Sequence, residues 1–277
     1  MPDIYARISR ARAAGAANRS AASAMADVWL KHLEAASAEV NERTGRDFGA
    51  RLVTAYMDVP RACRENLQGA RLFLPFDVAS ITTLKPYSAS PLTYGTAYVE
   101  NTDYLVHRER EDPNSPMDYL DRLSTVWTPG ERELQLVGYR GYSYEVEDTG
   151  VTVQDAPMTA STETLTLETA SGIEVGETLK LEDEQCRVTA QPTETTLTVE
   201  RGVNGTTAAQ HAQGTVVYRR RYPRAIEEAT ALRAIDLYRG APGAFGGAAG
   251  GEEAGFSAPN SYAQFVGLLK PFRRWGV

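Results

Sequence analysis

The chain has 277 residues, 42% of them hydrophobic and 23% charged, with a formal net charge of −7. That composition fits a globular protein of one large or two ordinary domains, and the acidic balance excludes a surface that grips nucleic acid all round. Its two cysteines, Cys63 and Cys186, share no metal or redox spacing and read as unreactive thiols of a reducing compartment.

The first twenty residues are rich in Ala and Arg and almost free of acid. Two readings fit: a flexible or partner-ordered arm over 1–23, and an organelle transit peptide. No unbroken apolar run marks a secretory signal, and none approaches transmembrane length. The spacing of Trp29, Leu33, Ala36 and Val40 then predicts an amphipathic helix from Met25 to Arg43, with Ser23 as its N-cap, Glu39 paired with Arg43, and Gly45 as its left-handed stop. From Leu52 the alternation turns strand-like until Pro60. Further strands are predicted at 71–74, 78–84, 103–107, 123–127 and 133–139, punctuated by Pro-, Gly-, Asn- and Ser-rich gaps.

From Val151 the texture becomes rich in Thr, Glu and Val, and an echo appears: "TETLTLE" at 162–168 and "TETTLTVE" at 193–200. Duplication and convergence of two Thr-rich strands explain it equally well. Residues 151–218 read as a small all-β module with a turn at Gly176-Glu177. A second helix is predicted over 223–239, opened by Pro223 and closed by Arg239-Gly240. A Gly- and Ala-rich loop leads to a short final helix around 262–270 and the tail "KPFRRWGV".

Chemistry-bearing patterns are sparse. His32, His107 and His211 fall on three separate elements, and no phosphate-binding loop, metalloprotease or nucleophile-elbow motif occurs. The acidic runs 109–112 and 182–184 read as solvated carboxylates. No catalytic, metal or cofactor site is expected, and the chain does not read as an enzyme. Two basic clusters stand out. Arg219, Arg220, Arg221 and Arg224 fit either a contact to DNA or an acidic partner, or a charged edge at a domain junction. Arg273 and Arg274 lie between Phe272 and Trp275, an interface-like composition.

The order of these segments resembles a known family. A helix ending in T-G-R-x-F (Thr44, Gly45, Arg46, Phe48), then "RLFLPFDVASITTL" (71–84), "VGYRGY" (137–142), "YPRAIEEATALRAIDLYR" (222–239) and "LLKPFRRW" (268–275) are together similar to head–tail connector, or adaptor, proteins of tailed bacteriophages. The resemblance covers roughly 24–150 and 219–277; about seventy residues stand where simpler members run directly from the "GY" strand to the "YP" helix. Its 199–217 stretch is similar to β modules of phage structural proteins.

The resemblance implies an α+β fold, a small helical bundle packed with a β region, in which 24–150 and 219–277 form the core and 151–218 an inserted all-β domain. It implies a ring subunit, usually one of a dodecamer, beneath the portal of a virion assembled in the host cytoplasm. The ring extends the DNA channel, double-stranded DNA passes through it, and a tail-side neck, stopper or tail terminator protein sits below. Leu268, Leu269, Phe272, Arg273, Arg274 and Trp275 are the implied portal-binding element, against the alternative that the tail folds back on its own subunit. A second function class is a phage tail or surface protein whose β module binds carbohydrate or host.

Overall fold

The computed structural model describes residues 3–15, 26–60, 70–89, 93–110, 112–240 and 261–274. Among these the chain is mainly β, with two antiparallel six-stranded sheets and four α-helices. The expected small helical bundle with an added β module is therefore overturned. The described residues divide into two compact units, unit 1 from Met1–Arg46, Val146–Val203 and Thr207–Val277, and unit 2 from Asp47–Glu145 and Asn204–Thr206. This grouping puts the helices with the strands of the expected insertion rather than with the earlier β region.

In unit 1, helices α1 (Ile8–Gly15), α2 (Ala26–Thr44), α3 (Arg224–Gly240) and α4 (Ser261–Leu269) surround a small-residue core. Trp29, Leu33 and Ala36 of α2 meet Ala231, Ala234 and Ile235 of α3, and Trp29 stacks on Tyr238 at 4.6 Å. Alanines at the contact let the two backbones approach closely, the condition for ridges to enter grooves. Gly45 ends α2 with φ of 66°, in the left-handed conformation that its position after the helix demands.

The unit 1 sheet runs β7 (Glu145–Thr152), β12 (Val216–Arg221), β9 (Thr178–Leu181), β10 (Glu184–Ala190), β11 (Thr196–Glu200), β8 (Thr164–Thr166). A bridge between Val153 and Leu167 joins the chain just beyond β7 to the chain just beyond β8, so the sheet closes on itself. Its interior holds Val153, Met158, Leu165, Leu179, Leu181, Cys186 and Leu197. The bridge joins the two outermost strands of the order at one point, as in a small β barrel. The echo segments are neighbours in it: Leu165 faces Leu197, and Thr164 and Thr166 face Thr198 and Thr196. Leu167 N–H donates to Thr195 O and Val199 N–H to Glu163 O, both at 2.8 Å, so the pairing has local two-fold symmetry.

Unit 2 is the sheet β1 (Arg51–Val59), β6 (Gly130–Arg140), β2 (Arg71–Ala89), β5 (Met117–Arg122), β4 (Tyr104–Arg108), with β3 (Thr93–Tyr94) on β2. β2 is one 19-residue strand where the sequence reads as two. It pairs with β5 near its start and with β6 from Val78 onward, and Pro75 sits in the register shift of the β5 pairing between Phe73 and Val78, where no ladder N–H is needed. Residues 123–127, predicted as a strand, form a loop in which Trp127 alone is buried, while the missed strand β5 precedes it. Leu72, Leu84, Leu120, Leu134 and Leu136 fill the core face. Residues 204–206 cap one end of β1: Leu52 N–H donates to Asn204 O at 2.8 Å.

Gly205 fixes that cap. Its φ is 79°, and a Cβ there would lie 2.3 Å from Leu52 O. Gly205→Ala should lower the urea midpoint of unfolding by an amount equivalent to roughly 1–3 kcal/mol, combining backbone strain with the clash; an unchanged midpoint would contradict this close approach.

Candidate functional site

The described C-terminal segment places apolar side chains in the chain's own interior. Phe265, Leu269 and Phe272 fall on one stripe of α4 and the 3₁₀ turn Lys270–Phe272, and all three are buried. The Arg46 guanidinium donates to Phe272 O at 2.7 Å, and Arg274 N–H donates to Thr44 O at 3.0 Å. Arg43 lies over the rings of Tyr262 and Phe265 at 5.1 and 5.9 Å. The Thr44-Gly45-Arg46 corner and the C-terminal segment thus form one joint. Leu269 and Phe272, two apolar anchors of the expected portal contact, are occupied within the subunit. Leu268 is half-buried, Arg273 is exposed, Arg274 is half-buried, and Trp275 lies outside the described residues.

The Arg219 cluster faces carboxylates of its own unit. Arg219 lies 3.5 Å from Glu147 and 3.6 Å from Glu177, and donates to Gly172 O. Arg221 lies 3.4 Å from Glu147 and 3.5 Å from Glu227, and Arg220 is buried. Arg224 alone of the four is exposed. This is the charged-edge arrangement, and it leaves little free cation for a phosphate backbone.

One charged centre escapes a linear reading. Glu184 is buried, although its acidic run reads as solvated. Its carboxylate accepts both a bidentate pair from Arg201, at 2.7 Å each, and the backbone N–H groups of Gly202 and Ala209 at 2.9 Å. His211 joins it to Glu182, at 2.9 Å and 2.8 Å from the two ring nitrogens, and the Cys186 thiol donates to it at 3.3 Å. Burial alone would raise the Glu184 pKa, but Arg201, Ala209, His211 and Gly202 together bring it to about 2. Burial and the Glu184 charge push the Cys186 thiol up, so it is a poor nucleophile. With every carboxylate lone pair engaged, the centre is a staple for the 201–211 excursion. Apart from Cys186, the partners lie 17 to 27 residues away in sequence, at no recognisable motif spacing.

The exposed apolar surface lies elsewhere. Of eight large apolar side chains exposed among the described residues, six belong to unit 2: Tyr56, Phe73, Tyr87, Val99, Leu123 and Val126. Phe73 and Val99 are more than half exposed, at 57% and 58%. On the outer face Phe73, Tyr119 and His107 make a row across β2, β5 and β4, with Arg71 over Tyr119 at 3.9 Å and paired to Asp121 at 3.0 Å. A concentration of exposed aromatic and aliphatic groups beside arginines is the composition of a protein-binding surface.

Two outcomes follow. Leu269→Ala and Phe272→Ala should each destabilise the isolated chain by about 2–5 kcal/mol in urea or thermal melts, because both cut a cavity in unit 1; an unaltered melt would return the tail to the role of a free docking element. Glu184 binds its proton more weakly folded than unfolded. Its stabilisation, on the order of 3 kcal/mol, is therefore complete above its ordinary value of 4.5 and is lost as pH falls toward about 2. Glu184→Gln should lower stability at neutral pH by a similar amount and flatten the acid limb of a urea-midpoint-against-pH curve.

No helix among the described residues is long and apolar enough to cross a membrane. No protein-family model matches the chain, and no curated protein or solved structure matches it.

Proposed function

We propose that this chain is a structural subunit of a head–tail connector ring in a tailed bacteriophage or phage-like particle, joining portal to tail and extending the DNA channel. The observation that carries the reading is the joint between the two ends of the resemblance. The T-G-R corner and the "LLKPFRRW" segment, more than two hundred residues apart, are bonded through Arg46–Phe272 and Arg274–Thr44. The "YPRAIEEAT" helix α3 packs on the helix α2 that the corner ends. Three of the five segments whose order carries the likeness thus belong to one physical unit.

The surface chemistry agrees with the role. Exposed apolar groups concentrated on unit 2 call for protein partners: further copies of this chain, the portal, and a tail-side neck, stopper or terminator protein. A net charge of −7 per subunit weakens any grip on double-stranded DNA in transit. Portal recognition falls to groups left accessible by the folded tail, Arg273 foremost and Leu268 beside it, with Arg224 as a further exposed cation. Disrupting the gene should yield DNA-filled heads without tails, counted by electron microscopy. Tailed, infectious particles from the null would overturn the reading.

A further inference from the structure

A strand in a sheet interior has both rows of backbone groups paired, whereas an edge strand leaves one row open to another chain. Unit 1 closes its sheet through the Val153–Leu167 bridge. The unit 2 sheet ends on β1 and β4, and no strand among the described residues pairs with the outer side of either. On β1, Leu52 N–H points away from β6 to Asn204 O, and the alternation of an antiparallel ladder turns Thr54 and Tyr56 the same way. On β4, Asp103 O accepts from Leu123 N–H on the β5 side, so Tyr104, Val106 and Arg108 turn outward, and Asn101 N–H caps Tyr104 O. Among the described residues, each edge is capped at one end and unpaired beyond the cap.

The edges differ in charge. Beside β4 stand the exposed acids Glu100, Glu109, Asp112 and Asp118 against one exposed arginine, Arg110. Beside β1 stand Arg51, Arg132 and Arg140 against Asp58, Glu131 and Asp47, the last paired with Arg51 at 3.6 Å. Two acidic β4 edges repel each other, whereas the charge-balanced, arginine-bearing β1 edge does not repel β4, so unlike edges meet at lower cost than two β4 edges.

We infer that β1 of one copy of this chain pairs with β4 of the next, head to tail, continuing the unit 2 sheet from subunit to subunit. This names the subunit contact of the connector reading and rests on that reading for closure, since a heterologous contact makes a ring when its rotation closes and a filament when it does not. The six exposed apolar groups of unit 2 lie on the sheet that the pairing extends and on its loops.

Proline at an outward-facing position removes only an edge N–H, so Thr54→Pro blocks β1 and Val106→Pro blocks β4. By native mass spectrometry and analytical ultracentrifugation, the wild-type chain should assemble beyond a dimer and each variant alone should be monomeric. An equimolar mixture should stop at a 1:1 dimer, because each variant keeps one working edge. Circular dichroism and urea melts check folding; if Val106→Pro unfolds, the outer-face pair Tyr56→Lys and Leu105→Lys repeats the test without touching the core. A wild-type monomer, variants that assemble as the wild type does, or either variant forming dimers alone overturns the inference. A closed wild-type assembly indifferent to all four substitutions would sink edge pairing and leave the ring reading standing. Open filaments abolished by the same substitutions would keep edge pairing and sink the ring.

Discussion

Asp3 is almost wholly buried, and its carboxylate meets the Arg187 guanidinium at 3.1 Å and the Thr178 hydroxyl at 3.2 Å. An ion pair so removed from water holds only when its geometry is fixed, because either charge left alone would carry an uncompensated desolvation cost. The unit 1 architecture hangs on this anchor. From it the N-terminal segment runs between barrel and helices. Tyr5 takes Ser37 Oγ with its N–H and Asn41 with its hydroxyl, and packs against Tyr222 at 4.9 Å. Arg7 reaches Glu177 at 2.9 Å on the barrel side, and Arg10 reaches Glu227 and Glu228 on α3. Ile8 and Ala11 close the helical core. The arginines that give this stretch the look of a free arm are its attachment points, because the carboxylates that receive them come from distant sequence.

Helices α2 and α3 were legible because their apolar residues recur at helical spacing and carry start and stop residues: Gly45 and Pro223 stand where the helices end and begin. The strands were less so. Pro75 and Pro86 break the pattern of β2 for a reader who expects every strand residue to donate, yet one sits in a register shift and the other opposite Leu134 near the strand's end. β5, "MDYLDR", hides behind three charged residues, while the apolar Leu123 and Val126 next to it are exposed loop. Fold class was misjudged for the same reason: helical periodicity is visible over a short window, whereas long bulged strands and a closing bridge are pairings between distant residues.

The site was legible only in part. The tail's composition pointed to burial, and burial is what Leu269 and Phe272 have, but composition does not say whose surface provides it. The Arg219 cluster reads as a patch in one dimension; in three, Glu147, Glu177 and Glu227 converge on it from β7, the β9 approach and α3. Glu184 illustrates the limit most sharply, since nothing local separates it from the exposed Glu182 two residues earlier. Among the described residues the two units differ accordingly: one bridges its outermost strands and meets most of its Arg219 cluster internally, the other has unpaired edge strands and six of the eight exposed large apolar side chains.

The mutual pairing of "TLTLE" and "TLTVE" bears on where their likeness comes from. Across the local two-fold axis Leu165 and Leu197 have the same depth, the same partner and no solvent, and Leu167 and Val199 donate to equivalent carbonyls. Within the pair, positions related in this way face alike surroundings and favour alike side chains, although β11 has β10 on its other side. Symmetry of environment is then sufficient to draw two unrelated strands toward one sequence, and the echo needs no ancestral copying event to account for it.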